Sequence, residues 1–172
     1  MDAMPTPLAG PGLVIDPVRL LATDAALAVV EQALSVVDHA GRRALTAVQR
    51  LALVASSRAL ADRLESLAAV LLAEADAVDA SMSVRGTPTT SWLALHGART
   101  GREASRLTLT AAEITGSPAV RDAAITGRLT PQQAARLGRA VRELPAELTP
   151  TQRATAEELL VERGLTTAAE RI

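Results

Sequence analysis

A chain of 172 residues with a single aromatic side chain has few ways to build a core, and this one has Trp92 but no Phe and no Tyr. Apolar residues still make up 48% of it, so its interior must be packed from Leu, Val, Ile and Ala. A pleated sheet face draws on β-branched and aromatic clusters, and none occur here. Ala, Leu, Arg and Glu lose little side-chain freedom on entering a helix. The composition predicts an all-α protein, a multi-helix bundle.

Local signals predict where the helices start and stop. Residues 1–15 are rich in Pro and Gly and read as a flexible arm. Asp16-Pro17 starts a helix, and Asp24 caps a second running to about Ala40, with Leu27, Val30, Leu34 and Val37 on one face and Gly41 as its stop. Thr46 and Gln49 form a capping box, and no Pro or Gly follows until Gly86, which predicts one long helix over about 46–81. Leu60, Leu64, Leu67, Leu71, Ala75, Val78 and Met82 make a stripe along it, extended toward its start by Val48, Leu51 and Val54. Such a helix is about 50 Å long, more than the core of a domain this small needs. A second copy or a partner helix is therefore expected along it.

A short helix carries Trp92, Leu93 and Leu95 and ends at Gly97. The box Thr100–Glu103 then opens a helix to about Thr115, giving a helix-turn-helix-like pair over about 90–115. Ser117-Pro118, Thr130-Pro131 and Thr149-Pro150 each place a hydroxyl cap before a Pro at the first helical position. These three helices are expected to end at Gly127, before Pro145 and at Gly164. Thr166 or Thr167 begins a further turn near the last residue, as in a fragment of a longer protein. The expected organisation is an arm (1–15), N-terminal helices (16–83), a compact basic region (84–165) and the start of another helix (166–172).

The same residue inventory restricts the chemistry. Without cysteine there is no disulfide and no thiolate, and two distant histidines, His39 and His96, make no zinc set. Each histidine precedes a helix stop, where an imidazolium suits the dipole. Asp76/Asp79 and Glu157/Glu158 read as solvated faces, and no glycine-rich phosphate loop occurs. No catalytic residue, metal, cofactor or small-molecule substrate is expected. No basic leader precedes an apolar run, and no run reaches the ~20 residues that span a bilayer, so a cytoplasmic location without membrane contact is expected.

Charge is where the sequence points outward. All 18 basic residues are Arg, and the net charge of −1 is unevenly spread. Residues 1–83 hold six Arg against ten acids, 84–142 hold nine against three, and 143–172 hold three against six. Arg99, Arg102 and Arg106 recur at spacings of 3 and 4, opposite Ala104, Leu107 and Ala111, beside the Thr100 cap. Arg136, Arg139 and Arg142 recur in a later helix. A forked guanidinium suits phosphate and guanine, and one aromatic is too few for stacking on single strands, so duplex DNA is the expected nucleic-acid partner. Arginines at helical spacing also form ordinary solvated faces.

Four stretches together resemble a known family. They are Leu71-Leu72-Ala73-Glu74-Ala75-Asp76, Thr90-Ser91-Trp92-Leu93, Glu103-Ala104 with Arg106-Leu107, and the run from Ala123 to Ala134 containing Gly127-Arg128-Leu129-Thr130-Pro131-Gln132-Gln133. In order and spacing they resemble domain of unknown function 222, the N-terminal domain of actinobacterial HNH endonuclease-type proteins. The likeness runs over roughly residues 45–164. It departs at 77–86, where the family often has an Arg-Gly-Leu run, and the family's His/Asn/Cys nuclease motif is absent. The resemblance implies a module that positions a nuclease on DNA without cutting it. Two functions are thus expected to compete: DNA docking through Arg99, Thr100, Arg102, Arg106, Arg136, Arg139 and Arg142, or helical dimerisation and protein interaction through Leu60, Leu64, Leu67, Leu71 and Val78.

Overall fold

The computed structural model describes residues 22–38, 40–97 and 100–169, and every regular element among them is helical. The α-helices are α1 (Thr23–Ser35), α2 (Ala47–Ala77), α3 (Ala80–Arg85), α4 (Thr89–His96), α5 (Gly101–Thr115), α6 (Pro118–Ile125), α7 (Pro131–Arg142) and α8 (Pro150–Ala169). The all-α multi-helix bundle is thus the observed architecture. No helix among the described residues is long and apolar enough to cross a membrane. The chain divides into two compact units, one up to Thr46 and one from Ala47 onward. The expected boundary near residue 83 is displaced because α2 packs with α5 and α6 and so belongs to the second unit. The arm and the Asp16-Pro17 start lie outside the described residues.

In the first unit, α1 starts at Thr23 with no side-chain cap, and Asp24 sits in its first turn rather than at the cap. The helix stops at Ser35, short of Ala40. Asp38 accounts for the early stop, since its Oδ1 accepts the N–H groups of Ala40 and Gly41 at 2.8 and 3.0 Å. This side-chain turn competes with helix propagation, and Gly41–Ala44 forms a 3-10 turn instead of serving only as a stop.

The second unit is organised around α5, which touches α2, α4, α6 and α7. Its core holds Ile114, Val120, Ala123, Ala124, Leu129, Ala134, Val141 and Val161, drawn from α5 to α8 and the α6–α7 turn. With so much alanine at these positions the helices approach closely. The three hydroxyl–proline starts appear as read. Ser117 Oγ accepts the Val120 N–H, and Thr130 and Thr149 exchange bonds with Gln133 and Gln152. Thr130→Ala removes one of these caps. It is expected to cost about 1 kcal/mol in a thermal melt, the usual worth of an N-cap.

Gly127 closes α6 at φ 78°. Its N–H donates to the Ala124 carbonyl and the Arg128 N–H to that of Ala123, the paired bonds of a Schellman stop. Gly164 does not close α8, which continues to Ala169 and takes in the further helix expected from Thr166. A Cβ at Gly164 would stand 2.7 Å from Leu137 Cδ1, so this glycine makes room for α7. The long helix is shorter than expected. It ends at Ala77, and Asp79 adopts a left-handed φ of 49° before α3 begins. Asp tolerates that conformation better than most residues.

Candidate basic interface on α5 and α7

Helix α5 carries two functional faces. At 100° per residue, Ala104, Ala111 and Ile114 share one side and are buried at 1% exposure or less. Arg102, Arg106 and Glu113, spaced by 4 and 7, share the opposite side. Arg102 and Arg106 are exposed, whereas Glu113 is only 4% exposed. The cover over Glu113 is α7. A Cβ built on Gly138 would fall on the Glu113 carbonyl oxygen, so the two backbones touch there.

That close approach brings the arginines of α7 to the buried carboxylate. Arg139 Nε donates to Glu113 Oε1 at 2.9 Å and its Nη2 reaches the same oxygen at 2.9 Å, while Arg142 Nη2 lies at 3.7 Å. The hydrogen bond to Glu113, and then its charge, raise the Arg139 guanidinium above its ordinary value. Both arginine side chains stay more than half exposed, so each faces the carboxylate on one side and solvent on the other. The charge of Glu143, the residue after α7, also acts on Arg139, so the two guanidiniums stand between a buried and a second carboxylate.

The expected contact residues fall into three groups. Arg102, Arg106 and Arg136 are exposed and form no ion pair with any described residue. Arg139 and Arg142 hold Glu113. Thr100 is committed to its own helix, its Oγ1 accepting the Glu103 N–H at 3.2 Å while Glu103 Oε2 accepts the Thr100 N–H at 2.9 Å. A carboxylate already sits at the start of α5, where a phosphate would otherwise be drawn. Arg99 lies outside the described residues. Helices α4 and α5 do pack as a pair, but α7 covers α5 around Glu113 near its C-terminal end.

Residues not anticipated as functional turn out to brace this face. Arg153 donates to the carbonyls of Val141 and Pro145 at 3.3 and 3.2 Å, binding the end of α7 to α8. The buried Ser117 hydroxyl donates to Glu157 at 2.8 Å, so Glu157 is a tie between helices rather than a solvated acid. His96 accompanies Trp92, its Nδ1 3.1 Å from the Trp92 carbonyl and the rings stacked at 5.1 Å; His39 lies outside the described residues. A cleft of about 470 Å³ between α6 and α8 is floored by Ala119, Ala123 and Val161 and rimmed by Asp122, Glu158 and Glu162 together with Thr126 and the single cation Arg128. Its acidic rim disfavours anions. No group of three His, Cys, Asp or Glu among the described residues is placed to hold a metal.

Of the expected interaction stripe, Leu64, Leu67 and Leu71 are half-buried, while Leu60 and Val78 are 43% and 71% exposed. The side of α2 that is fully buried holds Ser66 and Val70, about a third of a turn away. Comparison of the chain with family models, with curated proteins and with solved structures returns no match to any of the three.

Proposed function

We propose that this chain is a non-catalytic cytoplasmic module that docks duplex DNA through the arginines of α5 and α7. One observation carries the reading: Glu113 lies on the same side of α5 as Arg102 and Arg106, and Arg139 and Arg142 converge on it. The arginines of α7 are thereby drawn to the side of α5 that carries Arg102 and Arg106, with Arg136 one turn before Arg139. Phosphate contact is favoured over base reading, because α7 keeps α5 from lying at full length in a major groove. The resemblance to domain of unknown function 222 supplies a setting, in which the module would position an HNH nuclease of an actinobacterial protein. It requires no cofactor or metal.

The test is a titration of a labelled duplex read by gel shift or anisotropy at several salt concentrations. Binding should weaken linearly in log–log form, as counterion release demands. The variant Arg102→Ala, Arg106→Ala and Arg136→Ala should flatten that slope by about 2.7, at about 0.9 per lost phosphate contact. Arg139 and Arg142 are spared because they hold Glu113. If about 10 μM protein fails to retard duplex at low salt, where non-specific contacts are strongest, the reading fails.

A further inference from the structure

We infer that Glu113 is a built-in counter-anion: it holds the place on Arg139 and Arg142 that a phosphate would otherwise take, and so limits how many phosphates of a duplex this face can neutralise. The limit on phosphates rests on DNA docking, whereas the role as internal anion rests on the cluster alone. A guanidinium receives a carboxylate and a phosphate through the same adjacent N–H groups, so the two anions compete for it. Arg139 turns Nε and Nη2 toward Glu113 Oε1, both at 2.9 Å, and Arg142 Nη2 stands 3.7 Å from the same oxygen. Arg102, Arg106 and Arg136 have no such partner among the described residues.

The internal anion holds its place for two reasons. It is assembled before any ligand arrives, because the Glu113 backbone touches Gly138, the residue just before Arg139. A phosphate must instead be ordered onto the surface from solution. Its displacement would also be costly, since both arginines swinging outward would leave a buried carboxylate with no cation. The pairs Arg58–Asp62 and Arg121–Asp122 lack both features. Their partners share a helix, and the acids are 25% and 65% exposed, so solvent replaces the lost contact.

Exposure of the two guanidiniums does not restore them to a ligand in full. The carboxylate they share cancels part of their charge, and Glu143 acts on Arg139 from the end of the helix. Phosphate contact and counterion release depend on that charge. Helix α7 thereby divides its arginines: Arg136 is available to phosphate, and Arg139 and Arg142 are withheld.

The test compares the salt dependence of duplex binding in the parent and in Glu113→Gln. The substitution keeps the shape and returns one to two positive charges to the face. The log–log slope should steepen by about 0.9–1.8, at about 0.9 per added phosphate contact. Glu158→Gln, on the rim of the cleft between α6 and α8, makes the same change in net charge and should leave the slope as in the parent. Heteronuclear NMR of the arginine Nε–H groups supplies a second readout, with inorganic phosphate as the probe. In the parent, phosphate should shift the signals of Arg102, Arg106 and Arg136 and leave that of Arg139 in place; in Glu113→Gln the Arg139 signal should move as well. Far-UV circular dichroism establishes that the variant is folded, and if it is not, the titration of the parent decides. Duplex binding whose slope ignores Glu113→Gln, an equal steepening in Glu158→Gln, or an Arg139 signal in the parent that follows phosphate as Arg102 does would each overturn the inference. If neither protein binds duplex while the phosphate titration behaves as expected, the DNA reading fails and Glu113 keeps its role as internal anion.

Discussion

Gly138→Ala should unfold or nearly unfold the second unit. A methyl group at that position would overlap the carbonyl oxygen of Glu113 and stand 2.6 Å from its carbonyl carbon. Both are backbone atoms in the last turn of α5, so no side-chain rotation relieves the clash, and α5 and α7 must separate. Overpacking a well-packed site ordinarily costs 1–3 kcal/mol, and here separation also draws Arg139 and Arg142 away from Glu113. We expect a loss of at least about 4 kcal/mol in urea unfolding, among the largest effects of a single added methyl. Gly101→Ala is the matched control. Nothing lies within 4 Å of its added carbon, so it should be neutral or gain up to about 1 kcal/mol. Equal stability of the two variants would mean that α5 and α7 do not touch as described.

What the sequence disclosed depended on how local the cause was. The starts at Ser117, Thr130 and Thr149 were legible because cap, proline and third-residue partner lie within four positions of each other. The stop at Gly127 was legible for the same reason. Gly164 was not, because its neighbour is the Leu137 side chain of another helix, and a glycine at a packing contact has the same letter as one kept for a turn. The break at Asp79 was missed because a lone left-handed Asp leaves no proline or glycine to mark it. Asp38 is intermediate: its side-chain turn is local, but an Asp near a helix end is compatible with several turns.

The candidate face was legible in its charge and not in its construction. Arg102 and Arg106 followed from spacing, and the excess of arginine over 84–142 followed from counting. In the sequence Glu113 is one acid among 19. A signal did exist, since Glu113 falls 7 residues after Arg106 on the same helix side. A glycine inside an arginine-rich helix, at Gly138, also hints at a close backbone approach. Neither hint says which helix approaches which. The pairing of α5 with α7 is a tertiary fact, and it decides which arginines are free for a ligand and which hold the protein together.

That division gives the second large prediction. Glu113 is almost wholly buried whereas Arg139 and Arg142 are more than half exposed, so the two sides of the cluster should respond unequally to removal. Glu113→Gln keeps the shape and a hydrogen-bond acceptor, and it leaves two guanidiniums that solvent can still reach. Its cost should be about 1–2 kcal/mol, the worth of a lost charge-assisted bond. Arg139→Ala together with Arg142→Ala does the opposite, leaving a carboxylate buried with no cation. Breaking a fully buried pair costs about 3–5 kcal/mol, and because both cations here are more than half exposed the loss should fall at or below the lower end of that range. The double variant should therefore unfold at distinctly lower urea than Glu113→Gln, with helicity followed by far-UV circular dichroism. Each single arginine variant should fall between, because the remaining guanidinium still faces Oε1. Combining all three substitutions should recover part of the loss, since the charge that needed a partner is then gone. If the double arginine variant is as stable as the parent, both side chains belong to solvent. They would then be as free for phosphate as Arg102 and Arg106, and α5 and α7 would be held together by Gly138 and the apolar core alone.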